Sequence, residues 1–218
     1  GMGAACRALG TPVVSGNVSL YNETDGRAIL PTPVIGGVGV IEDIARIATV
    51  AFKAEGESIV LLGETEGHLG QSLYLKALTG EEAGPPPPVD LEAERRTGTF
   101  VRDSIAGQAV TACHDLSDGG LAVALAEMAL AGGIGAEIAA PEGVGDLAAW
   151  LFGEDQGRYL VTTADPEALL AAGAAAGVPA RLLGVTAKAT LTLPAGKAIS
   201  LAELKAAQDG WLPDYMTA

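Results

Sequence analysis

"CHDLSDGGLAVALAEMA", residues 113–129, decides the fold class. The apolar run ending at Cys113, "AVTAC" (109–113), reads as a buried strand, and the Ala/Leu-rich segment 121–132 reads as a helix. Between them lies the glycine turn Ser117-Asp118-Gly119-Gly120. Strand, glycine turn and helix in that order make an α/β unit whose geometry aims free backbone amides at an anion. Two readings of the turn stay open. It can cradle a phosphate, or Ser117 or Asp118 is simply an N-cap while the glycines let the helix pack on the sheet. His114 and Asp115 are candidates for metal ligands or for an acid–base pair.

The alternation continues on both sides. Upstream, residues 3–9 read as a helix end stopped by Gly10, and "PVVSGNVSLYNE" (12–23) reads as a long strand. The Asp-Gly of "TDGR" (24–27) predicts a hairpin turn, "TPVIGGVGVIED" (32–43) a second apolar strand and "SIVLLG" (58–63) a third. "HLGQSLYLKALTG" (68–80) predicts a short helix with His68 in the loop before it. The four prolines of "EEAGPPPP" (81–88) make a stiff extended loop, and 89–107 reads as a helix with Asp90 to Arg96 on a solvated face. Downstream, "GAEIAA", "RYLVTT", "ARLLGVTA" and "TLTLP" read as strands. Residues 165–177 read as a helix capped by Asp165 with Pro166 in its first turn, and 200–210 as a helix capped by Ser200, before "WLPDYM". The expected fold class is therefore α/β (α+β), a mixed β-sheet with helices packed on it.

Composition agrees. The 218 residues include 30 glycines, 49% are hydrophobic and only 4% aromatic, which suits an α/β protein with a real core. A formal net charge of −14 argues against nucleic acid and anionic membrane as partners, while glycine-turn amides or a metal ion can still hold a small anion. The longest apolar segment, 121–140, is broken by Glu127, Glu137 and a glycine pair, so no membrane span is expected. Two cysteines, Cys6 and Cys113, make neither a disulfide framework nor a zinc site, and a reducing cytoplasm is the default compartment. The glycosylation patterns at 17–19 and 22–24 are discounted because no secretory signal is visible. The first residues enter as if already inside a fold, which suggests a fragment.

Two polar stretches remain. "SGNVSLYNET" (15–24) alternates like a strand and puts Asn17, Ser19, Tyr21 and Glu23 on one face. Gly16 lets a ligand approach the backbone, Asn17 offers a hard amide oxygen that suits Mg²⁺ beside phosphate, and Ser19 can donate to a phosphate or amide. An exposed strand face with a glycine bulge is the alternative. In "LFGEDQGRYLV" (151–161), Glu154, Asp155 and Gln156 form a turn before a strand and Arg158 follows; a solvated acidic turn is the plain reading.

Taken in order, "SGNVSLYNE", "TPVIGGVGVIED", "HDLSDGGL", "GEDQGRY" and "WLPDYM" resemble the C-terminal part of the phosphoribosylformylglycinamidine synthase family, in its short multi-subunit bacterial form. The glycine turn is shared more widely with aminoimidazole ribonucleotide synthetase and its relatives. The resemblance implies an aminoimidazole ribonucleotide synthetase C-terminal-like fold, with residues 1–31 the trailing helix and strand of a preceding N-terminal-type domain and 32–218 a C-terminal-type domain. It implies ATP-dependent amidation of formylglycinamide ribonucleotide in purine biosynthesis, with ATP and Mg²⁺ as cofactors. It places Gly16 at ATP, Asn17 on Mg²⁺ and Ser19 at the substrate, with the catalytic residues elsewhere in the enzyme. The implied partners are a glutaminase subunit and a small accessory subunit. In the first copy of the duplicated synthetase the equivalent of "GEDQGR" reads Ser-Glu-Ser-Gln-Glu-Arg, so Asp155 and Gly157 are departures. A carboxylate at 155 is expected to repel a ribonucleotide phosphate, making this the degenerate half. A non-catalytic scaffold or auxiliary-nucleotide domain, and another ATP-using enzyme of the same superfamily, are the alternatives.

Overall fold

The computed structural model describes residues 1–18, 22–30 and 32–217. They divide into two compact units, Gly1–Ala45 and Arg46–Ala218. The first unit holds α1 (Met2–Leu9), which ends where Gly10 turns left-handed (φ 68°), and a hairpin of β1 (Glu23–Thr24) and β2 (Arg27–Ala28). Asp25 and Gly26 both have positive φ, the conformation that an Asp-Gly hairpin turn requires.

The strands expected over 12–23 and 32–43 are not formed as read. Residues 11–18 and 32–43 are exposed and take no strand, and residues 19–21 lie outside those described. The apolar, β-branched content is there in Val13, Val18, Val34, Val38 and Val40, all exposed. A strand, however, is completed by the neighbour it bonds to, and among the described residues this unit offers only the two-residue hairpin.

The second unit is a seven-stranded sheet in the order β4-β6-β3-β7-β5-β8-β9. Its strands are β3 (Ser58–Leu62), β4 (Ala112–Asp115), β5 (Gly135–Ile138), β6 (Tyr159–Thr163), β7 (Ala180–Ala187), β8 (Thr190–Leu193) and β9 (Lys197–Ser200). All neighbours run antiparallel except β5 and β8, so the sheet is mixed, as the alternation of segments implies.

Both faces are covered, which explains why β3 reads as a continuous apolar run. Ile59 and Leu61 point to one face and Val60 and Leu62 to the other. On the first face lie α4 (Gly120–Gly132) and α5 (Leu147–Phe152), contributing Leu121, Leu125, Met128 and Trp150. On the second lie α3 (Leu91–Ala106) and α6 (Pro166–Ala176), contributing Val101 and Leu169. The short α2 (Leu73–Thr79) stacks Tyr74 on Phe152 of α5, with ring centroids 4.8 Å apart.

Caps set the helix starts. Asp90, Asp146 and Asp165 accept backbone N–H groups from the first turns of α3, α5 and α6, and Pro166 sits in the first turn of α6. Ser200 and Glu203 exchange bonds as a capping box at α7 (Leu201–Thr217). That helix runs on through Pro213 and takes in "WLPDYM", with Trp211 stacked on Tyr215. The expected helix over 68–80 begins only at Leu73, because Ser72 is its cap and Gln71 has a positive φ of 61°. The strand expected over 109–113 shifts to Ala112–Asp115, where His114 and Asp115 pair with Leu160 and Tyr159.

Leu125 is fully buried at the centre of α4, whereas Val123 is 36% exposed. Leu125→Ala is expected to cost about 2–5 kcal/mol of stability. Val123→Ala should cost less than about 1 kcal/mol by urea denaturation. Equal costs would contradict this packing.

Candidate functional site

Gly16 and Asn17 lie in the first unit, exposed and outside regular structure, and nothing lies within 4 Å of the place a Cβ would take at Gly16. Ser19 lies outside the described residues. The glycine turn and the acidic turn, by contrast, are brought together in the second unit.

The helix after the glycine turn is capped by neither Ser117 nor Asp118. Gly119 is the N-cap, with φ 80° and no side-chain cap bond, and Gly120 follows with φ 65°. Gly120 packs so tightly on the backbone of Phe152 and Gly153 that a Cβ there would overlap them. The Gly119 N–H points at the Glu154 carboxylate, donating to Oε1 at 2.8 Å.

The turn at 153–158 is acidic but only partly open to solvent: Asp155 and Arg158 are buried, Glu154 is half-buried and Gln156 is exposed. Glu154 Oε1 also accepts the Leu73 N–H at 2.8 Å. Asp155 is 8% exposed, and its two oxygens accept from Gly67 N (2.9 Å) and His68 N (3.1 Å). Beneath them the Arg158 side chain is wholly buried. It donates from Nε to Asp155 O, from Nη2 to Gly153 O and from Nη1 to Thr65 Oγ1. Its Nη1 stands 3.7 Å from Asp155 Oδ2. Burial pulls the guanidinium below its usual range, while Asp155 and Glu154 act against that. Two loops, 63–72 and 117–120, are therefore tied to the 153–158 turn. Asp155 is spent on backbone amides of the 63–72 loop and anchors that loop, so the plain reading of a solvated acidic turn is corrected at this residue.

Against this turn lies a cavity of about 290 Å³ lined by Glu94, Asp115, Ser117, Asp118, Glu154 and Tyr159, among others. Glu94, within the helix face expected to be solvated, is partly buried, and burial raises its carboxyl. Gly157, with φ 69°, admits it: a Cβ there would stand 2.8 Å from Glu94 Oε2. The only sequence signal for this was the glycine at 157. His114 is held between carboxylates, Nε2 at 2.7 Å from Glu127 and Nδ1 at 3.4 Å from Asp115. Among the described residues, no three His, Cys, Asp or Glu gather as a metal site. His68 is a loop histidine, its Nε2 2.9 Å from Pro85 O. Burial, aided by Asp115, pushes the Cys113 thiol up to about 11. No helix among the described residues is long and apolar enough to cross a membrane.

The family model described as AIR synthase related protein, C-terminal domain, matches residues 54–193. The phosphoribosylformylglycinamidine synthase subunit PurL of Methylocella silvestris is 59% identical to this chain over 220 residues, covering 100% of the chain and 30% of the relative. The PurL subunit of Parvibaculum lavamentivorans is also 59% identical, over 222 residues, with the same coverage of both. The chain thus spans about 30% of the length of these relatives. A solved structure described as Thermotoga maritima PurL complexed with FGAR gives a TM-score of 0.62 at 18% identity, covering 74% of this chain and 30% of that one. A second, complexed with ATP, gives 0.58 at 17% identity over 74% and 27%. At these identities the structures share the fold.

Arg158→Ala removes the cation from a buried acidic turn and leaves two carbonyls without their donor; the expected loss is about 3–5 kcal/mol. Gln156→Ala, at the exposed neighbour, should stay within about 0.5 kcal/mol. Urea denaturation of the two variants distinguishes them, and a similar small loss in both would contradict the buried role of Arg158.

Proposed function

This chain belongs to the family of AIR synthase related proteins, through their C-terminal domain, and we propose that it is the C-terminal part of a phosphoribosylformylglycinamidine synthase. The observation that carries the reading is similarity running along the whole chain, beyond the family domain and across "SGNVSLYNET" as well. The proposed activity is that of a C–N ligase: ATP phosphorylates the formamide oxygen of formylglycinamide ribonucleotide, and ammonia displaces the phosphate. Phosphorylation turns a poor leaving group into a good one, and charge on the transferring phosphoryl group must be stabilised. In this reading residues 1–31 finish an N-terminal-type domain and 32–218 form a C-terminal-type domain. A glutaminase subunit supplies ammonia, a small accessory subunit completes the complex, and the enzyme works in the cytoplasm.

In this reading Gly16 and Asn17 are this chain's residues at the ATP–Mg²⁺ site, and Ser19 is its residue at the substrate. Gly16 and Asn17 are open to solvent, so the backbone at 16 and the amide oxygen at 17 are free to meet a ligand. One hard oxygen fits Mg²⁺, which takes few protein ligands and completes its shell with water and phosphate. When bound, Mg²⁺ neutralises charge on the ATP phosphates. Asn17 holds and orients; Gly16 lets the nucleotide approach the backbone; Ser19 reaches the ribonucleotide substrate.

In the intact synthetase, Asn17→Ala should raise the Mg²⁺ concentration needed for half-maximal rate by roughly tenfold or more, with little change in the KM for the ribonucleotide. An unchanged Mg²⁺ dependence would reject the metal role. The 218-residue chain alone should not amidate formylglycinamide ribonucleotide with glutamine or ammonia. Turnover above a contaminant control would overturn the proposed division of labour.

A further inference from the structure

Glu154 stands where a ligand's anion would stand at a strand–glycine turn–helix. Gly119 caps α4 without help from Ser117 or Asp118, and the acceptor for its N–H comes from 35 residues away, in the Glu154 carboxylate. The same Oε1 takes the Leu73 N–H at the start of α2. The Glu154 backbone is itself anchored, its N–H donating to His68 O at 2.9 Å. Packing of Gly120 on Phe152 and Gly153 holds the glycine turn against the segment that carries the carboxylate. An entering phosphate would have to displace a tethered charge from two donors, next to Glu94, Asp115 and Asp118. Arg158 offers it nothing, since that guanidinium is fully buried and its donors face Thr65, Gly153 and Asp155.

We propose that Glu154 is an internal anion that closes the glycine turn to external phosphate and braces it against the loop entering α2. The glycine turn is then a structural joint in this chain, and a phosphate-bearing ligand in the adjoining cavity is held by groups other than the Gly119 amide. The inference goes beyond the proposed ligase function and stands whether or not that reading does, because its test uses no turnover.

The test is chemical rescue on the whole chain. Glu154→Ala should lower the Tm by roughly 5–10 °C, as expected for losing a carboxylate that accepts the N–H groups of Gly119 and Leu73 at two helix starts. Formate or acetate should restore at least half of that loss, and chloride at equal ionic strength should not. Glu154→Gln keeps an acceptor oxygen and should lose less. In the unaltered chain, the amide resonances of Gly119 and Leu73 should not move when inorganic phosphate is titrated. Movement of those two resonances overturns the proposal, and so does a Glu154→Ala variant that melts with the unaltered chain or that no small anion rescues. If Glu154→Ala does not fold in buffer, folding on addition of formate supports it. In Glu154→Gln, amide shifts at Gly119 and Leu73 identical to those of the unaltered chain overturn it.

Discussion

The second unit depends on one constraint: a buried guanidinium and two carboxylates must be satisfied within a single tight turn. A charge taken out of water costs several kcal/mol unless hydrogen bonds replace its hydration. Arg158 meets that demand with Gly153 O, Asp155 O and Thr65 Oγ1, and Asp155 and Glu154 meet it with four backbone N–H groups. Those groups belong to Gly67, His68, Leu73 and Gly119, so satisfying one turn fixes the two loops that flank it. Arg158 O accepts the Leu116 N–H as well, which ties β6 to the chain leaving β4.

This arrangement changes what the glycine turn means. Free amides at a helix start make an anion site when the anion comes from outside. Here the protein supplies its own, and the cavity beside it is left with carboxylates on several sides. Such a wall favours ligands that bring a cation with them. The open glycine and hard oxygen of Gly16 and Asn17 belong to the other unit, and the two are chemically unlike: one leaves its polar groups exposed, the other has used its N–H donors on an internal carboxylate.

The sheet was legible where burial is decided locally. "SIVLL" is a nearly continuous apolar run, "RYLVTT" is rich in aromatic and β-branched residues, and the helices of 91–106, 120–132 and 166–176 carry their own caps or glycine stops, so their existence follows from composition and spacing. The two stretches 12–18 and 32–43 have the β-branched apolar content of strands, but pairing is a property of the neighbour, which composition cannot show. The short strand 197–200 and helix 147–152 carry too few residues for a periodic signal. In the site, the acidic turn was visible as "GEDQGR", but its burial was not. Nothing in residues 153–158 shows that Gly67, His68, Leu73 and Gly119 will bring their N–H groups to it. Those contacts span 35 to 88 residues and exist only once the sheet has assembled.

Native-state hydrogen exchange at Gly67, His68, Leu73 and Gly119 tests the central claim most directly. These amides sit in loops or at a helix start, where exchange is ordinarily fast. If the acidic turn ties the loops together, all four should exchange far more slowly than the exposed loop glycines Gly143 and Gly145, and they should open as one unit. Exchange of the four at the rate of Gly143 and Gly145, or at four unrelated rates, would contradict the account.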